Sequence, residues 1–397
     1  MNDALKILGA RTGVVAALAL SFGCGSSSSG TSTPADAGMA EPALPATLAI
    51  TADWAHHTLS LLDFDALIAK DPVAKVRVGM LDLSHYTNAP YTVKLTPDGK
   101  TALVTMSTGF FTVPGAGLLV NASTLPSGPS RVLFVDLATR TVTADLDTGD
   151  GASGIAITHD GSRAFVCHAS SHNLTVLDVK AGKILSQVDV GGTFAESIAL
   201  DDTSTVGIVT YLDPATTQKS VRTFAVSDMA STLSTPISLG TDAAGVPFFP
   251  GTKTAFVVLA YNPLTSPASG YALIDATDPA APKKLVQTMW TDTTYIAFDA
   301  IPAPARSSVL VPVESGGMLS LREYSLAASD VTLVKTYPVA PSTTTFGAFG
   351  LVIDAAGHVA LTMPSKRQLA VLDLGSGATF TDAWFSEPSP LGIALRP

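Results

Sequence analysis

One short strand ending recurs five times along this chain, as Leu61-Leu62-Asp63, Phe134-Val135-Asp136, Val176-Leu177-Asp178, Leu273-Ile274-Asp275 and Val371-Leu372-Asp373. An apolar pair followed by Asp is common by chance, but this spacing is not. The Asp positions step by 73, 42, 97 and 98 residues. The last two steps are each twice about 49, and the first is one period of about 45 plus an insertion of roughly 25. A period of about 40–50 residues in a strand-rich chain marks a β-propeller. Five visible copies and two implied ones predict an all-β fold, a single seven-bladed propeller of four-stranded antiparallel blades over residues 47–397.

Composition agrees with strands. Charged residues make up 14% and apolar ones 46%, and 32 Gly and 26 Pro punctuate short apolar runs. Beyond the N-terminus, no long stretch keeps the 3.6-residue apolar period of a surface helix. The net charge is −10, with no basic cluster. Nucleic-acid binding is excluded on that ground, because affinity for phosphate backbones rests on Lys and Arg.

The N-terminus reads as an export signal. Lys6 and Arg11 precede the apolar run Val14 to Leu20, which is too short to span a bilayer. Small residues before Cys24 resemble a bacterial lipoprotein signal, which implies a signal peptide over 1–23 and lipidation of Cys24. Phe22, and Ser21 where Leu is usual, depart from the commonest pattern, and an ordinary signal peptide is the alternative. Residues 24–46 are rich in Ser, Gly, Pro and Ala and cannot bury a core, so they read as a disordered tether. About 21 such residues reach roughly 25 Å. Gly rather than Asp after Cys24 resembles lipoproteins sorted to the outer membrane, facing either the periplasm or the cell surface. The only other cysteine, Cys167, lies in an apolar run and reads as a buried, inert thiol.

The clearest repeat unit comprises Gly154–Gly161 (GIAITHDG), Arg163–His168 (RAFVCH), Asn173–Asp178 (NLTVLD) and Lys183–Gly191 (KILSQVDVG). It resembles the YVTN repeat propellers, whose unit reads roughly P-x-G-I-A-x-S-P-D-G, Y-V-A-N, N-x-V-x-V-I-D, T-G-x-V. Thr96-Pro97-Asp98-Gly99 and Pro390-Leu391-Gly392-Ile393-Ala394 match the same unit, which fades in the fourth and sixth blades. Strands are labelled a, innermost, to d, outermost. Asp98-Gly99 and Asp160-Gly161 are expected as tight a–b turns. The repeated Asp is expected to cap backbone N–H groups of the c–d turn. After the tether the chain supplies strands b, c and d, at Leu48–Ala52, Thr58–Asp63 and Lys75–Met80, with no strand a. The final Leu391–Arg396 is an unaccompanied strand a, expected to close the ring. Val142, Ala144 and Leu146 alternate with Thr143, Asp145 and Asp147, as on an outer strand whose charges discourage edge pairing. A calcium loop is the weaker reading of Asp145–Gly151, which lacks the fifth-position ligand and the twelfth-position Glu.

Function is less legible. The b–c and d–a loops share one face, and five of the seven histidines fall there: His56, His57, His85, His168 and His172. Asp150, Glu196, Asp242, Asp292, Glu314 and Arg367 join them, with Trp54, Tyr86, Trp290 and Tyr295. Either polar residues simply populate loops, or they form a channel mouth that binds a transition metal, cofactor or small anion. His168 and His172 are the foremost candidates. The apolar insertion between Ser107 and Ser130, with Phe110, Phe111, Leu118, Leu119 and Val120, is a lid or docking surface, or else a plug. No G-x-S-x-G, H-E-x-x-H, Walker or C-x-x-C-H motif occurs, and no catalytic residue can be nominated. The primary reading is a monomeric, lipid-anchored interaction module of the cell envelope, meeting a protein or a small ligand. The alternative is a propeller enzyme using the His/carboxylate face.

Overall fold

Strand b of each blade is a largely apolar, buried run, unbroken in Ala255–Ala260 and interrupted only by Thr105 in Ala102–Met106, because water reaches neither face of its sheet. The fold was analysed in a computed structural model. It describes residues 43–107, 129–193, 195–216, 218–260, 269–291, 296–297, 299–328, 330–341, 348–382 and 390–396. Seven antiparallel sheets follow one another around a ring. Blade 2 is Ala89–Leu95, Thr101–Ser107, Ser130–Asp136 and Thr141–Gly149. Blade 3 is Ala152–Ile157, Arg163–His168, Asn173–Asp178 and Lys183–Asp189. Blade 4 has a short strand a, Ile198–Leu200, before Val206–Asp213, Gln218–Ala225 and Ile237–Ser238. Blade 5 is Asp242–Ala243, Thr254–Ala260, Gly270–Asp275 and Lys283–Met289. Blade 6 splits strand a into Ile296–Ala297 and Ile301–Ala303, then runs Ser308–Ser315, Met318–Ala327 and Asp330–Pro341. Blade 7 is Leu351–Ile353, His358–Met363, Gln368–Asp373 and Thr379–Asp382.

Blade 1 closes the ring as its sequence implied. Pro390–Leu395 is strand a, pairing antiparallel with Leu48–Asp53 through Ala49–Leu395, Ile50–Ala394 and Thr51–Ile393. Thr58–Asp63 and Arg77–Asp82 complete the sheet. Strand d thus starts two residues later than expected. Residues before it form two short helices, Phe64–Ile68 and Val73–Val76, which bury Phe64, Leu67 and Val76 against blade 7. Arg396 clasps the closure. Its backbone N–H donates to Leu48 O (2.8 Å), its Nε to Gly99 O (3.1 Å) and its Nη1 to Pro45 O (2.9 Å).

Seven apolar clusters hold the ring, one between each pair of neighbouring blades. The two-residue period of a strand supplies both faces. Val104 packs towards blade 1 with Ile50 and Leu61, whereas Leu103 packs towards blade 3 with Ile155 and Val166. Hydroxyls stitch the inner strands together. Thr105 Oγ1 accepts from Thr92 N–H (3.1 Å) and donates to Ser153 O (3.0 Å) in the next blade. Thr362 Oγ1 does the same from Gly350 N–H (2.7 Å) to Leu391 O (2.6 Å). Cys167 holds this register position in blade 3, and there Ser153 Oγ reaches Ala195 O (2.8 Å) instead.

The repeated Asp caps the c–d connection in all five copies. Asp63 accepts from Ala66 N–H, Asp136 from Thr139, Asp178 from Ala181, Asp275 from Thr277 and Asp373 from Gly375, at 2.8–3.0 Å. Gly99 and Gly161 turn the a–b hairpins at φ 66° and 67°. Along Thr141–Gly149 exposure alternates as the sequence implied, and Arg131 pairs with Asp145 across to strand c. Strand alternation puts a–b and c–d turns at one end of the ring, and b–c and d–a loops at the other.

Removing residues 388–397 is expected to abolish the single cooperative thermal transition, read by circular dichroism; an unchanged melt would refute closure by strand a. Thr362→Val strands two buried backbone groups and is expected to cost about 2 kcal/mol in urea denaturation.

Candidate functional site

Strands a converge on the ring axis, which forces small residues where one meets the next. A Cβ on Gly154 would sit 2.6 Å from Glu196 O, and one on Gly392 2.9 Å from Tyr91 O. This close approach is the physical reason for the glycine of the G-I-A repeat. Between the converging strands lies an axial cavity of about 470 Å³. Its wall includes Tyr91, Lys94, Glu196, Asp299, Phe349 and, near the a–b end, His159.

The charged groups of this cavity differ in how they are satisfied. Glu196 receives Lys219 Nζ at 3.1 Å. Asp201 is consumed by its own turn, accepting from the N–H groups of Thr205 (2.6 Å) and Val206 (2.7 Å). Asp202 bridges to blade 5, accepting from Gly251 N–H (2.7 Å). Asp299 accepts from Ala300 N–H (2.8 Å), the residue after it. Burial pushes its carboxyl up to about 6, against the opposing pull of the Lys94 charge and that N–H. Gly245 makes room for it, since a Cβ there would lie 2.7 Å from Asp299 Oδ1. The Tyr91 ring meets Phe349 edge-on, with centroids 5.5 Å apart. Burial raises the Tyr91 phenol, and the negative charges of Glu196 and Asp299 add to that. Tyr91, Glu196 and Asp299 therefore lie within one another's field.

The face read from sequence is distributed differently. Of its eleven polar residues, Glu196 lines the cavity. His56, His85, His172, Asp150 and Arg367 are exposed on loops. His57 Nδ1 lies 3.2 Å from Tyr86 O, and the His85 ring lies 4.2 Å from that of Tyr86. His172 stands 4.0 Å from Asp189. Asp242 begins strand a of blade 5, and Glu314 is buried near the end of strand b in blade 6. His168 is fully buried, so it cannot present a ring to a ligand on the surface. Its Nε2 lies 2.9 Å from Thr175 Oγ1, and burial lowers its pKa to about 4. Cys167 is buried, and burial pushes its thiol far up, as expected of an inert cysteine. Among the described residues no three His, Cys, Asp or Glu side chains converge as metal ligands would. Asp292, Tyr295, Cys24 and the insertion residues Phe110, Phe111, Leu118, Leu119 and Val120 lie outside the described residues. Lys94, Asp299 and Tyr91 were missed in the sequence. Their one signal was a position in strand a, and strand a of blade 6 is too irregular to recognise.

No family model matches the chain, and no curated protein matches it. Solved structures do resemble it. A functionally unknown protein from Desulfotomaculum acetoxidans superposes with a TM-score of 0.64 at 14% identity, over 88% of this chain and 98% of that one. Hydrazine synthase from Kuenenia stuttgartiensis gives 0.57 at 16% identity, over 72% and 76%. The Cps50 (Swd1) β-propeller domain from Myceliophteria thermophila gives 0.53 at 11% identity, over 74% and 86%. At these identities the likeness is one of fold.

The Asp299 carboxyl is raised above its ordinary 3.8, and Lys94, Glu196 and Tyr91 face it. Its contribution to stability is full below pH 3.8 and is lost as pH rises through about 6. Asp299→Asn is therefore expected to stabilise the protein by roughly 1–3 kcal/mol near pH 8, and not near pH 4. Thermal denaturation of both proteins at the two pH values checks this, and an equal difference at both would refute the assignment.

Proposed function

We propose that this propeller is a lipid-anchored binding module of the cell envelope, held by Cys24 and meeting its partner with the b–c and d–a face. One observation carries the reading. The chain enters the ring at Leu48, and Leu48 pairs with the strand end at Asp63, on the a–b and c–d side. The junction with the tether thus belongs to that end of the ring and not to the b–c and d–a loops. The b–c and d–a face carries the exposed loop residues His56, His85 and His172, and the flanks of the 107–130 insertion. Asn88 secures one flank, donating from Nδ2 to Pro129 O at 2.8 Å. A rigid scaffold with variable loops at one end is how propellers and similar folds present recognition surfaces. The fold alone does not supply the function. The export signal, the lipobox-like residues before Cys24 and the polar tether support an envelope location, with the outer membrane favoured by Gly25.

Two measurements test this in cells. The protein is expected in the membrane fraction, and Cys24→Ala in the soluble one. A photo-crosslinking side chain at His172 is expected to trap a discrete protein adduct, while one at Asp98, on the a–b side, traps none. A soluble parent protein would overturn the anchor, and equal trapping from both positions would overturn the choice of face.

A further inference from the structure

Lys94 and Asp299 line the same cavity and feel each other's charge, yet no ion pair within 4.0 Å joins them. The other carboxylates there are already satisfied: Glu196 by Lys219, Asp201 by its turn, and Asp202 by Gly251. Among the described residues, one cation and one anion thus remain without an ion pair around a space of about 470 Å³. Glu323 and Asp53, both buried, are far better served. Glu323 takes two bonds from Arg306 (2.7 and 2.9 Å), one from Ser308 Oγ (2.9 Å) and one from the Tyr337 hydroxyl (2.9 Å). Asp53 takes bonds from Thr51, Thr58 and Ser60. Among the described residues Asp299 has one, from the adjacent backbone N–H.

We propose that the axial cavity binds a small zwitterion, an amino-acid-like molecule whose ammonium group pairs with Asp299 and whose carboxylate pairs with Lys94. A lone cation would serve half-buried Asp299 and leave the exposed Lys94 charge to solvent, and a lone anion would leave Asp299 with its single backbone bond. A molecule carrying both charges satisfies the two at once through charge-assisted hydrogen bonds. Ile155, Ile198 and the Tyr91–Phe349 pair provide apolar wall for the carbon chain between its ends. The cavity is of the size that encloses small ligands. This site is separate from the loop face assigned above to a protein partner, and it stands or falls independently of membrane anchoring.

A series of ω-amino acids serves as a ruler for the separation of the two charges. Glycine, β-alanine, 4-aminobutyrate and 6-aminohexanoate are titrated into the purified full-length protein by calorimetry, beside butylamine and butyrate, which carry one charge each. At least one member of the series is expected to bind saturably, and at least about tenfold more tightly than either singly charged compound. Asp299→Asn and Lys94→Met are each expected to weaken that binding by about tenfold or more while keeping the parent's circular dichroism. Absence of binding by every member at about 10 mM, equal affinity for butylamine or butyrate, or unchanged affinity in either folded variant would overturn the proposal.

Discussion

Every blade is packed between two others, and neither face of its sheet can be left to water. That constraint explains the apolar runs of the b strands, the seven inter-blade clusters, and the need for a complete ring. Each cluster takes alternate residues from two sheets, so a one-residue register slip in any strand would exchange the faces it offers to both neighbours. The Asp caps of the c–d turns and the threonine bridges of the inner strands fix that register at both the outer and inner edges of the blades.

Much of this was legible because it repeats. Asp136, Asp178, Asp275 and Asp373 recur for a local reason, since a strand that ends in a tight connection needs its turn N–H groups capped. Asp-Gly at 98–99 and 160–161 is equally local. His168 shows where the sequence reading went astray. As a loop-end histidine it looked available, yet its register position is filled elsewhere by Met106, Leu259 and Met363, all buried. Comparison with the other blades, rather than residue type, would have given its burial. The cavity groups lay beyond such reasoning. Lys94 and Asp299 are about two hundred residues apart, one on strand a of blade 2 and the other between the two segments of strand a in blade 6, whose meeting is a property of the closed ring. Gly245 signals the site through the volume it leaves empty, which no periodic pattern encodes.

Polar groups in the ring fall into two kinds. Burial pushes Glu323 up, but the Arg306, Ser308 and Tyr337 bonds outweigh it and hold the carboxyl below its ordinary range. The group works as a fastening between the a–b turn and three strands of blade 6. Asp53 and His168 sit at equivalent places in blades 1 and 3, and each meets a hydroxyl of strand c, from Ser60 (2.6 Å) and Thr175 (2.9 Å). These networks look inward and are complete or nearly so. Asp299, half-buried, and Lys94, exposed, line the axial cavity instead, and among the described residues no ion pair within 4.0 Å holds either.

The clasp at Arg396 has a consequence for biosynthesis. Strand Leu48–Asp53 is among the first parts of the ring to be made, and its inner partner Pro390–Leu395 is the last strand. Throughout translation the first blade therefore shows a bare edge and an uncovered apolar flank, open to pairing with another chain. Contacts spanning almost the whole length of the propeller must form last, which makes folding slow and vulnerable to wrong partners. A chain built this way gains from being kept unfolded, by a holding factor or by passage through a translocation channel, until its final strand has emerged.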